Sequence, residues 1–135
     1  MITEHFKLEE FIKSSTADKH NIDNTPSKEI EDNIVELAEL LEKIRKRWNS
    51  PIIITSGYRC KKLNKLVGGS PTSQHLKGQA ADIICKDNKE LFILIMQMVY
   101  NGEITIGQLI DEKNYKWLHI STPHLNFDNQ ILHLN

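Results

Sequence analysis

The stretch QLIDEKNYKWLHIS, residues 108–121, decides how the chain is laid out. Gln108 to Glu112 and Trp117 to Ser121 read as short strands, and the polar residues Lys113 to Lys116 between them make the pair a β-hairpin. With Lys113 facing Lys116 across an Asn114-Tyr115 turn, Glu112 stands opposite Trp117 and Ile110 opposite His119. Cross-strand partners share a face of the sheet, as do residues two apart on one strand, so Glu112, Trp117 and His119 are expected to project to one side. A register slip of one residue would exchange Glu112 for Asp111 or Lys113.

Outward from the hairpin, Ala80 to Cys85 reads as another strand, and Asp87 with Glu90 three residues later caps a helix over Asn88 to Tyr100. The β-branched run Ile52 to Thr55 predicts a buried strand that ends at Ser56 and Gly57. A short helix over Lys61 to Val67 follows. The segment VGGSPTSQHLKGQ, residues 67–79, is too rich in turn formers to be regular, and loops of this kind often carry function. Pro26, Glu29 and Glu31 announce a long helix whose stripe is Ile30, Ile34, Leu37, Leu41, Ile44 and Trp48, stopped by Asn49, Ser50 and Pro51. Its apolar side is expected to pack on the chain's own sheet, as a monomer. Leu8, Phe11 and Ile12 mark a short first helix, the polar run SSTADKHNIDNTPS at 14–27 reads as a surface loop, and Gln130 to Leu134 adds a last strand.

With 135 residues, 39% of them hydrophobic, the chain has the size and apolar content of one domain spanning 1–135. Its 17 basic and 18 acidic residues leave a net charge of -1 and no electrostatic reason to expect a nucleic acid partner. The opening MITEHFKLEEF lacks the features of a secretory signal, which predicts cytoplasmic synthesis. Leu91 to Tyr100, broken by Gln97, falls short of the roughly 20 residues that cross a bilayer, so membrane insertion is not expected. Cys60 and Cys85 read as reduced thiols, Cys85 as packing on the face opposite Asp82.

Three side chains beside strand sequence are candidate metal ligands: His75, Asp82 and His119. Two imidazoles and one carboxylate fill three positions of a tetrahedral zinc ion and leave the fourth for water, as a hydrolytic site requires. The spacing alone is weak evidence. The other histidines, His5, His20, His124 and His133, read as surface residues.

The sequence around these residues narrows the reading. Ser56-Gly57-Tyr58-Arg59, Asn64, Gly68-Gly69, Ser73-Gln74-His75, Gly78, Ala80, Asp82 and Trp117-Leu118-His119 closely resemble, in order, the motif of the M15 metallopeptidases, which include zinc D-alanyl-D-alanine carboxypeptidases and phage endolysins. The resemblance implies an α+β fold of the hedgehog and DD-peptidase type, with a small antiparallel sheet packed against helices. It implies zinc on His75, Asp82 and His119, a peptidoglycan peptide as substrate, and Arg59 and Ser73 in the substrate site. A guanidinium fork suits a carboxylate or a developing oxyanion, and a hydroxyl can hydrogen-bond substrate. Gly78 and Ala80 are expected to let the backbone approach the metal. The opening resembles that of short, phage-type members, which implies a phage, prophage or bacterial protein that reaches the cell wall after release.

The chain departs from the family pattern at one position. Many members carry the catalytic acid three residues before the last histidine, where this sequence has Lys116. The hairpin register supplies Glu112 as the base instead, with Asp111 the alternative, while Trp117 also reads as core. The expected activity is zinc-dependent hydrolysis of peptidoglycan stem peptides, by carboxypeptidase or endopeptidase action. The alternative is a non-catalytic, zinc-containing module that binds the cell wall on the same fold.

Overall fold

The long helix organises the chain. In the computed structural model, which describes residues 1–124 and 128–134, α1 spans Leu8–Ile12, α2 Ser15–Lys19 and α3 Lys28–Trp48. The Ser27 hydroxyl caps α3 by accepting from the Ile30 amide at 3.3 Å, and Asn49 ends it in a left-handed conformation, φ 56°. Ile34, Leu37, Leu41 and Ile44 of its stripe are fully buried. After β1 (Ile53–Ser56) come α4 (Lys61–Leu66), a 3-10 turn over Gln74–Lys77, β2 (Ala80–Ile84), α5 (Asn88–Tyr100), β3 (Gln108–Glu112), β4 (Trp117–Ser121) and β5 (Gln130–Leu134). Among the described residues no helix is long and apolar enough to cross a membrane.

The strands form one sheet in the order β1-β2-β4-β3-β5. The expected antiparallel arrangement holds for the first four, whereas β5 joins β3 in parallel, so the sheet is mixed. The fold is α+β, as the resemblance implied. Alternation along the strands separates two faces. Ala81, Ile83, Leu109, Leu118 and Ile120 enter the core with α3 and with Leu91, Phe92, Ile95 and Met98 of α5. The opposite face carries a rung across all five strands, Ser56, Asp82, His119, Ile110 and Leu132.

Two expectations are corrected. The polar run after α1 is not all loop: Ser14 caps α2 by accepting from Ala17, and Ala17 is buried, so local capping and one small apolar residue suffice for a turn and a half of helix. The strand predicted from Ile52 to Thr55 is not buried. It is an edge strand, displaced by one residue, and its Ile53 is 55% exposed. β-branched composition reports strand propensity, not a central position.

Candidate metal centre

The hairpin places its residues as its register requires. Glu112 pairs with Trp117 and Ile110 with His119, although the connection is wider than a two-residue turn. Lys113, Asn114 and Tyr115 are all left-handed, with φ of 51°, 57° and 63°, and the Lys116 amide donates to the Glu112 carbonyl at 3.1 Å. β2 then sets Asp82 directly beside His119.

His75 arrives from another direction, on the 3-10 turn ahead of β2. The Ser73 hydroxyl caps that turn by accepting from the His75 amide at 3.2 Å. His75 is 3% exposed, and its Nδ1 lies 2.7 Å from the Gly57 carbonyl. A carbonyl only accepts, so Nδ1 carries the proton and Nε2 keeps its lone pair facing inward, the orientation a metal-binding imidazole needs. Gly78 closes the turn with φ 70°, and a Cβ there would come within 2.9 Å of Ile30 and of Ile34. The space expected for backbone approach to a metal is used at Gly78 by α3 instead.

The three side chains converge. Asp82 Oδ1 lies 3.2 Å from His119 Nδ1 and 3.4 Å from His75 Nε2, and the two imidazole rings stand edge to face with centroids 5.2 Å apart. One donor atom from each lies within 4.8 Å of the others. A tetrahedral zinc ion bound at ~2.0–2.2 Å sets its ligand atoms ~3.3–3.5 Å apart, so both the donor set and the spacings to Asp82 fit such an ion. Burial opposes ionisation of Asp82, but hydrogen bonds and charge from His119 and His75 outweigh it and hold the carboxyl well below the usual range. An anionic carboxylate between two imidazoles could hold a metal ion.

These residues form the floor of a cavity of about 990 Å³. Glu112 lines it, and its Oε2 accepts from Trp117 Nε1 at 3.1 Å. Trp117 is half-buried on this open face, not a core residue. Asp111 projects the other way, is 3% exposed and is engaged by the His133 ring. Lys116 is exposed in the turn. Arg59 also lines the cavity. Its backbone amide donates to the His75 carbonyl at 3.1 Å and its Nη2 reaches Ser73 Oγ at 3.5 Å. Burial lowers its basicity, while Asp82 and Glu112 offset that, and a guanidinium stays charged across the working range. Ser73 therefore both caps the turn that carries His75 and contacts Arg59.

Sequence reading missed several of the cleft's residues. Gln108 shares the open face with Ile110 and Glu112 by strand alternation, which was readable, while Gln79 and His124 line the cleft from connections that carry no such period. His124 is thus a cleft residue and not merely a surface one. Two other histidines taken as surface residues have acidic partners: His5 with Glu42, and His133 with Asp111. Cys60 and Cys85 are free thiols, and Cys85 packs against the core.

A helix-backed mixed sheet thus carries, on its open face and the turn beside it, two histidines and an aspartate next to a glutamate, a donor set that could hold a catalytic metal ion. The family model for peptidase M15 matches residues 4–121, and the chain belongs to that family. Membership supports a metallopeptidase. No curated protein matches the chain.

Proposed function

We propose that the protein is a zinc-dependent peptidase that hydrolyses peptide bonds in the stem peptides of peptidoglycan, with His75, Asp82 and His119 holding the metal. The observation that carries this reading is the convergence of those three donors, from a loop and two strands, beside Glu112 and Arg59 in one cleft. Bound zinc supplies Lewis acidity to the scissile carbonyl and to water. Glu112 acts as the base, taking a proton from the attacking water and returning it to the leaving amine. The Trp117 indole steadies one oxygen of that carboxylate and leaves the other for the proton. Arg59 and Ser73 grip the substrate peptide, the guanidinium opposing negative charge as it develops on the carbonyl oxygen.

Dialysis against a chelator is expected to abolish release of peptides from purified peptidoglycan, with zinc restoring it. Glu112→Gln is expected to lower kcat by about 10²–10⁴-fold while zinc content and thermal unfolding stay as in the parent protein. A non-catalytic wall-binding module would release no peptides in either form. Activity that survives metal removal overturns the reading.

A further inference from the structure

The cleft does not end at Arg59. A second cavity, about 570 Å³, adjoins it, and Arg59 and Val67 line both. The second cavity runs along Ile53–Ser56, which is β1, the edge of the sheet. Among the described residues β1 pairs only with β2, and Ile53, Ile54 and Thr55 make no backbone hydrogen bond on the side away from it. Ser56 of this edge stands opposite Asp82, so the free edge lies one strand spacing, roughly 4.8 Å, from a metal ligand.

The groove has the walls a polypeptide needs. Ser14, Ser15 and Thr16 line it together with Thr55 and Ser56 and offer hydroxyls. The wall is held firmly: the Tyr58 amide donates to the Phe11 carbonyl at 2.6 Å, and a Cβ on Gly57 would lie 2.4 Å from that same oxygen. Gly57 is also the residue whose carbonyl orients His75. The metal ligand and the groove wall are therefore tied through one backbone segment.

A site that removes only a terminal residue needs to close behind the carboxylate it reads. Here a second cavity shares Arg59 with the metal cleft and adds space beside the guanidinium. The metal cleft alone reaches the upper end of the ~300–1,000 Å³ that holds a drug-sized ligand, and the groove adds to it. We propose that substrate residues to one side of the scissile bond lie along Arg59 and pair as an added strand with the free edge of β1, which, of the two actions expected of this fold, suits the cleft to cuts within extended peptides. Main-chain pairing on a sheet edge supplies affinity with little demand on side chains. This inference rests on the metallopeptidase reading above.

The test uses the zinc-loaded full chain and three defined substrates: a stem peptide with a free terminal carboxylate, its C-terminal amide, and a cross-linked dimer. Mass spectrometry is expected to find internal cuts in all three, no penalty from amidation, and kcat/KM for the dimer about ten-fold or more above the monomer. N-methylation of successive substrate amides on the groove side is expected to raise KM about ten-fold at alternate positions, because an edge strand exchanges hydrogen bonds only at every second residue. Ser15→Trp, which fills the groove from its exposed rim, is expected to raise KM for the dimer similarly with kcat held. Release of terminal residues alone, with the amide uncut, overturns the inference and leaves a metallocarboxypeptidase. Internal cutting insensitive to N-methylation and to Ser15→Trp overturns the added strand. Chelator-resistant cleavage, or no cleavage of any substrate, removes the metallopeptidase reading itself.

Discussion

Glu42 lies on the buried side of α3, 7% exposed, with both carboxylate oxygens engaged by His5: the backbone amide at 2.7 Å and the ring Nδ1 at 2.6 Å. Burial works against its charge, but the bonds from His5 prevail and hold the carboxyl below its ordinary value of 4.5. A carboxyl depressed in the folded state contributes stability that is complete above its unfolded value and is lost as pH falls through the folded one. Glu42→Gln is therefore expected to cost about 1–3 kcal/mol near pH 7, with the gap to the parent closing as pH drops below about 4.5. Urea unfolding at several pH values measures it, and a gap that persists in acid would assign the effect to packing. Neither this pair nor Asp111 with His133 was legible in the sequence, because their separations of 37 and 22 residues carry no period. Asp82 and His119 are also 37 apart, yet they were singled out, because the motif around them resembles that of the M15 metallopeptidases, while a structural ion pair can form from any acid and histidine that the fold brings together.

The 3-10 turn is the element on which the site depends most, since His75 has no strand to hold it. Gly78 ends that turn in a left-handed conformation and lies against Ile30 and Ile34 of α3, where added carbon has no room. Gly78→Ala combines a left-handed cost of ~1–2 kcal/mol with overpacking of ~1–3 kcal/mol. Denaturant unfolding is expected to detect a loss of at least about 2 kcal/mol, and zinc affinity is expected to fall with it as the turn shifts. If stability is unchanged, the turn moves independently of α3. The strands and α5 were readable almost to the residue, because period-two alternation and the Asp87 cap are local signals. The 3-10 turn was not, as 67–79 is rich in turn formers and carries no period, and neither was α2, whose stability rests on one capping serine and the burial of Ala17. Hairpin register survived an unforeseen turn of three left-handed residues because two facing strands of fixed length pair the same way around either connection.

On the proposed metal reading, metal binding and folding are parts of one equilibrium. One face of the sheet is sealed by α3 and α5, and its composition made that legible; the open face is held by hydrogen bonds and by contacts around an anionic carboxylate flanked by imidazoles. His75, Asp82 and His119 come from a loop and two strands, so an ion bound to all three pins segments that are far apart in sequence. A ligand that binds only the folded form stabilises it by RT ln(1 + [L]/Kd), which is about 2.7 kcal/mol at one hundred times Kd. For a domain of this size that corresponds to a rise of roughly 5–15 °C in Tm. The rise is expected to grow with the logarithm of zinc concentration in the parent protein and to vanish in His119→Ala, whose stability without metal is itself expected to fall, because the ring is 13% exposed and its bond to Asp82 offsets the burial of that carboxylate. Calorimetry with and without chelator distinguishes the outcomes. A zinc-dependent shift retained in His119→Ala would mean that the ion binds elsewhere, and no shift in the parent would mean that the three donors do not act together.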